Sequence, residues 1–118
     1  MGPLETIART AAALVRQGHC KYTYARDAAG EDIGYHADAA VSFCARGALF
    51  KAGDGQATEW RVFWDLNGLI GGAKNPADIS STEIQIAVPE WNDKPERTGG
   101  EVAAKLEELA YQYAKEGL

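Results

Sequence analysis

Ala37-Asp38-Ala39-Ala40-Val41-Ser42-Phe43-Cys44-Ala45-Arg46-Gly47-Ala48-Leu49-Phe50-Lys51-Ala52 is the stretch on which the fold turns. Its spacing predicts a helix over 37–52. Val41, Cys44, Ala45, Ala48, Leu49 and Ala52 form one apolar stripe. Phe43 and Phe50, seven apart with Ala40 and Gly47 between them, form a second. Asp38, Ser42 and Arg46 make the one clear polar strip. A helix apolar over most of its circumference is buried on several sides, so this segment is expected at the centre of the molecule. Gly47 weakens a helix by about 1 kcal/mol against alanine. Its place here fits the close approach of another element.

Outward toward the N-terminus lies an amphipathic segment. Leu4, Ile7, Ala8, Ala11, Leu14 and Val15 share one face and predict a helix over 3–17. Pro3 suits its first turn, and Gly18 is expected to close it in the left-handed conformation. Tyr22, Thr23 and Tyr24 favour an extended chain over 20–26. Asp27 to Gly30 reads as a turn with positive φ at Gly30, and a second short strand is expected at 31–34.

Outward toward the C-terminus, Gly53-Asp54-Gly55 is a loop. Trp60, Val62, Phe63, Trp64, Leu66, Leu69 and Ile70 then predict a helix over 57–69. Gly71-Gly72 and Asn75-Pro76 break it. Ile84, Ile86 and Val88 alternate with Glu83, Gln85 and Ala87, as a half-buried strand over 82–88 does, and Pro89 ends it or marks an edge. Trp91 to Pro95 reads as turn-rich. Thr98-Gly99-Gly100-Glu101 has the form of a capping box. Val102, Leu106, Leu109 and Tyr113 continue from it as a helical stripe, ended by Gly117.

These elements predict one α+β domain over 1–118. Three or four helices pack around the buried central helix, with a small two- or three-stranded sheet. The 118 residues carry 12 Lys+Arg, 17 Asp+Glu and a net charge of −5. That acidity argues against nucleic-acid binding, which needs a basic face. No apolar run is long enough to cross a membrane, and no signal peptide opens the chain. Two cysteines suit a reducing cytoplasm better than a disulfide scaffold.

Candidate chemistry is sparse. His19, Cys20, His36 and Cys44 lack the paired spacing of a zinc site, so no metal and no cofactor is expected. Gly71-Gly72 with Lys74 lacks the order of a phosphate loop. Cys44, in mid-helix on an apolar stripe, reads as a buried structural thiol, and Cys44→Ser is expected to cost stability. Trp60, Phe63, Trp64 and Trp91 read as core volume before pocket lining. Asn92-Asp93 beside Trp91, and Arg26-Asp27 at the other turn, are the candidate binding residues. Each pair is weighed against plain turn chemistry.

Gly18-His19-Cys20, Tyr24 to Gly30, Phe43-Cys44-Ala45-Arg46-Gly47-Ala48-Leu49 and Trp91-Asn92-Asp93-Lys94-Pro95-Glu96-Arg97-Thr98 stand in an order that resembles a family of small bacterial and phage proteins of unknown function. The resemblance spans residues 4–115. It implies a mainly helical domain with a small extended element and a bacterial or phage origin. It singles out Arg26, Asp27, Cys44, Trp91, Asn92, Asp93 and Thr98 without giving them roles. Members commonly carry Trp where this chain has His19, and its 60–64 stretch is more aromatic than theirs.

Two functions follow as expectations. The first is a non-enzymatic accessory module that binds another protein or a second copy of itself. The second is a small hydrolase with a cleft near Trp91, using Asp93 or Asp27 as base and a histidine as proton carrier. The hydrolase requires a histidine in hydrogen-bond reach of Asp27, Asp93 or a cysteine, at the floor of a pocket.

Overall fold

The computed structural model describes residues 1–55, 58–71 and 81–118. Helix α1 spans Pro3–Gln17. Strands β1 (Ala25–Arg26) and β2 (Ser42–Phe43) follow. Helices α2 (Ala45–Gly53), α3 (Thr58–Leu69), α4 (Ser81–Asp93) and α5 (Gly99–Glu116) complete the described chain. The class is α+β, with five helices among the described residues where three or four are expected.

Helix α1 occupies the predicted residues. Its Ala8, Ala11 and Ala12 are at most 1% exposed, and these small side chains let α1 lie close along α5 and α2. Gly18 departs from expectation. Its φ is −173°, an extended rather than left-handed conformation. Its lack of a side chain serves another purpose, because a Cβ there would collide with the carbonyl oxygen of Val41. Helix α5 starts on the capping box as read: Thr98 accepts from the Glu101 N–H, and Glu101 accepts from the Thr98 N–H. Gly117 closes it at φ 72°.

The central segment is the main correction. Residues 37–44 are not helical. Val41 N–H donates to the Arg26 carbonyl, and Phe43 pairs antiparallel with Ala25 and parallel with His19. Phe43 thus lies between two neighbours, its own N–H and C=O bonded to the 18–20 segment while Val41 and Cys44 bond the 24–26 segment, and this long-range pairing outweighs a helical periodicity that local residues alone display. The helix begins only at Ala45, with Cys44 as its N-cap. The close approach at Gly47 is real: a Cβ there would strike the Tyr24 carbonyl.

The strand over 82–88 is also corrected, since 81–93 is helical. The alternation would set Ile86 and Val88 on one face. The helix instead leaves Ile86 at 45% exposed and buries Val88 fully, with Asn92 one turn on. Pro89 sits inside the helix, where it forfeits one backbone bond. The sheet therefore has two strands, β1 and β2. The strand expected over 20–26 shrinks to Ala25–Arg26. That expected at 31–34 survives as a bridge from Asp32 to Arg26 and a bond from Ile33 N–H to Ala25. Gly71 makes its turn at φ 95°. The rest of the expected break (Gly72, Lys74, Asn75, Pro76) lies outside the described residues.

The core gathers Leu49 from α2, Val62, Phe63 and Leu66 from α3, Val88 from α4, and Val102 and Leu106 from α5 around α1. Among the described residues, no helix is long and apolar enough to cross a membrane.

Candidate functional site

Helix α4 delivers Trp91, Asn92 and Asp93 on its last turn, against residues 19–22 and the start of α2. Asn92 is fully buried, because it continues the face that Val88 begins. Its Oδ1 accepts from the Ala45 backbone N–H at 3.0 Å and lies 2.8 Å from His19 Nε2. Its Nδ2 donates to the Cys20 carbonyl at 3.1 Å and to Asp93 Oδ1 at 2.9 Å. An amide has two donor hydrogens and two acceptor lone pairs, and all four are used. Because Oδ1 can only accept, the proton in the His19 contact sits on Nε2. Ala45 is the first residue of α2, so Asn92 supplies an acceptor to a helix-end N–H that the helix cannot satisfy itself.

Asp93 extends the clamp. Its Oδ1 also accepts from the Tyr22 backbone N–H at 3.0 Å. Tyr22 takes φ 69°, in the left-handed region that costs a non-glycine residue about 1–2 kcal/mol. The residue is 74% exposed, and its hydroxyl donates to the Asp93 carbonyl at 3.4 Å. The segment expected to be extended is thus a tight turn, held by a carboxylate 71 residues away. Lys21 Nζ donates to the carbonyls of Lys94 and Pro95, just past the end of α4, where a cation is favourable.

The Tyr22 loop overhangs a cavity of about 310 Å³ whose walls include Tyr24, Cys44, Arg46, Pro89 and Asp93. The Arg46 guanidinium lies 5.2 Å from the ring centres of Tyr24 and Phe50 and 5.6 Å from that of Phe63. These are cation–π distances. Cys44 Sγ accepts from the Gly47 N–H at 3.2 Å. Burial pushes the Cys44 thiol up to about 11, against the lowering effect of the backbone N–H groups of Gly47 and Arg46. Cys44 is therefore buried as expected, but as a cap rather than in mid-helix. Serine is itself a preferred cap, so Cys44→Ser costs less than a mid-helix site implies.

The sequence candidates divide. Asn92 and Asp93 converge on the clamp and are neither a turn nor a free polar pair, whereas Trp91 lies apart from it, beside Leu69, Ile70 and Arg97. Trp91 is covered by Arg97, whose guanidinium sits 4.5 Å from its ring centre and whose Nε donates to its carbonyl. Arg26 ends β1 and Asp27 opens the turn that follows, and neither bonds Asn92 or Asp93. Arg26 pairs with Asp32 at 3.1 Å and donates to the carbonyls of Gly30 and Lys21. Asp27 Oδ1 accepts from the N–H groups of Ala29 and Glu31, which is the turn chemistry weighed against a site. Trp60 is half exposed rather than core. His19, weighed only as a metal ligand, Tyr22, read only as extended chain, and Arg46, read only as a polar face, were not expected at this site. Nothing local marks a tyrosine for positive φ or pairs His19 with an asparagine 73 residues on.

The hydrolase geometry is not assembled among the described residues. His19 faces Asn92, and the His36 ring packs 4.2 Å from that of Tyr35. Neither makes a hydrogen bond to Asp27, Asp93 or a thiol. Among the described residues, no group of three His, Cys, Asp or Glu side chains could hold a metal ion. A second cavity, of about 400 Å³ between α3 and α5, contains Tyr113, whose hydroxyl donates to Asp65 at 2.6 Å. Burial and that carboxylate push its pKa up.

The chain belongs to a family of unknown function, DUF6197, whose model matches residues 1–112. Comparison with curated proteins and with solved structures gives no match.

Proposed function

We propose that this member of the family is a small non-enzymatic accessory module that binds another protein through the Tyr22 loop and the cavity beneath it. One observation carries the reading. A large aromatic side chain is held 74% exposed on a backbone conformation that disfavours it. Strain of this kind persists only where the surroundings over-determine it, and it gathers at functional sites. Here Asn92 and Asp93 supply the restraint. Tyrosine and arginine are enriched among residues that dominate protein interfaces, and Tyr22, Tyr24 and Arg46 stand together around the cavity. The net charge of −5 favours a partner with a neutral or basic face over nucleic acid.

The reading places the module in the cytoplasm, where free buried thiols such as Cys20 and Cys44 are reduced unless an oxidant reaches them. A bacterial or phage source belongs to the same reading and rests on the Cys44 to Leu49 and Trp91 to Thr98 segments.

The test compares tagged wild-type protein with Tyr22→Gly and Tyr111→Ala in capture from host lysate, quantified by mass spectrometry. Tyr111 is an exposed tyrosine on α5 that does not line the cavity. Glycine at 22 relieves the left-handed strain, so Tyr22→Gly keeps its melting temperature or gains a few degrees. The expected result is one protein retained by wild type and by Tyr111→Ala and lost from Tyr22→Gly. Equal capture by Tyr22→Gly, or no specific capture by wild type, overturns the reading. A wild-type dimer that Tyr22→Gly dissociates, seen by sedimentation, makes the partner a second copy of the chain.

A further inference from the structure

We propose that Cys20 and Cys44 are a paired oxidation site, joined into an intrachain disulfide by a hydroperoxide, and that the bond locks the loop carrying Tyr22. The register carries the inference. His19 bridges Phe43 in parallel, with the Cys20 N–H donating to the Phe43 carbonyl and the Phe43 N–H to that of Gly18. The next residues along each chain are Cys20 and Cys44. Side chains alternate along an extended chain, so Ser42 and Cys44 share the face opposite Phe43. Residues paired in a parallel bridge share a face, as His19 and Phe43 do, so the next residue along each segment, Cys20 and Cys44, shares the opposite face; the Cys20 thiol donates to the Thr23 carbonyl at 3.8 Å. Adjacent strands lie about 4.8 Å apart, inside the about 4.4–6.8 Å between Cα atoms that a disulfide spans. Asn92 keeps the two chains in register, with one end of its amide on the Cys20 carbonyl and the other on the Ala45 N–H. Both thiols are free.

Access runs through the cavity, which Cys44 lines. Cys44 sulfur attacks hydrogen peroxide, the O–O bond breaks, and the sulfur becomes a sulfenic acid. The hydroxide leaves as water with the Cys44 proton. Cys20 sulfur then attacks Cys44 sulfur, the S–O bond breaks, and the second hydroxide leaves as water with the Cys20 proton. Two thiols are oxidised to one disulfide, and one peroxide is reduced to two waters. Burial pushes both thiols up, so the thiolate is scarce and the reaction is slow.

The bond joins residues on either side of Tyr22–Tyr24 and ties Cys44 away from the Gly47 N–H. Its bearing on recognition rests on the reading above, whereas the bond itself does not. The experiment treats full-length wild-type protein with hydrogen peroxide and reads two quantities, neither of which involves a partner. Mass spectrometry is expected to show the loss of two hydrogens per chain and a linked Cys20–Cys44 peptide, both reversed by a thiol reductant. Hydrogen exchange is expected to slow at least several-fold at Tyr22, Thr23 and Tyr24 in the oxidised form. In Cys20→Ala the linked peptide is expected to vanish, and Cys44 to proceed to sulfinic acid. Sulfinic acids without the linked peptide in wild type, links only between chains, or thiols that stay reduced in folded protein overturn the pairing. A linked peptide with unchanged exchange overturns the lock.

Discussion

The α1–α5 side of the molecule and the junction between residues 18–26, 42–47 and 91–93 cohere by different means. Along α1 and α5, cohesion is spread over a row of buried apolar residues, Leu4 to Val15 on one helix and Val102 to Tyr113 on the other. A single exposed ion pair, Arg16 with Glu107, crosses it, and such a pair contributes little. At the junction, three chain segments meet around one buried amide. Asn92 alone joins Cys20, Ala45, His19 and Asp93. Distributed burial loses a little with each truncation. A hub loses every partner at once and leaves the buried ones, the Ala45 N–H and the Cys20 carbonyl, without it.

Asn92→Ala is expected to show the largest effect, a loss of about 4 kcal/mol, because the Ala45 N–H and the Cys20 carbonyl are both left unsatisfied. Chemical denaturation reads it. Leu106→Ala, in the middle of the α5 stripe, is expected to cost about 3 kcal/mol by the same measurement. A larger loss for Leu106→Ala than for Asn92→Ala breaks the comparison.

Alkaline pH sharpens it. The Cys44 thiol titrates near 9.0 when unfolded and about 11 when folded, so between these values the unfolded chain releases a proton that the native chain keeps. Stability is therefore full below pH 9.0 and falls on the order of 2 kcal/mol by about pH 11 on account of Cys44. Cys20 and Tyr113, also raised, add to the same slope. Cys44→Ser is expected to make the slope shallower while changing stability at neutral pH by about 1 kcal/mol or less, since serine can cap α2. An unchanged slope would place the alkaline loss elsewhere. Thr98→Ala is expected to cost about 1 kcal/mol through the α5 capping box, because α5 is held mainly by its apolar face.

The division between the two regions also separates what could be read from the residues in order. The apolar stripes of α1, α3 and α5, the Thr98 cap and the turns at Gly30 and Gly117 were all legible, since each depends on residues within a few positions of one another. The segment before Ala45 misled because its spacing is as good a helical pattern as that after it. Only pairing with His19 and Ala25 draws Phe43 out of the helix. The alternation at 84, 86 and 88 misled in the opposite direction, because the burial of Val88 and Asn92 one turn apart depends on partners that the local sequence does not contain. Of the candidate site, Asn92 and Asp93 were visible as a polar pair beside Trp91. Their role was not, because the acceptor for Asn92 Nδ2 lies 72 residues away and the donor to its Oδ1 47 residues away.

By itself the sequence determined the three amphipathic helices, the class of the fold and the family. Those follow from apolar periodicity, capping residues and short motifs, which act over a turn or two of chain. The tertiary structure alone decided where α2 begins, that 81–93 is a helix, and that Tyr22 is displayed on a strained turn over a cavity. Each of these depends on a backbone group meeting a buried partner from a distant segment. No local pattern encodes the free energy of leaving that partner unmet.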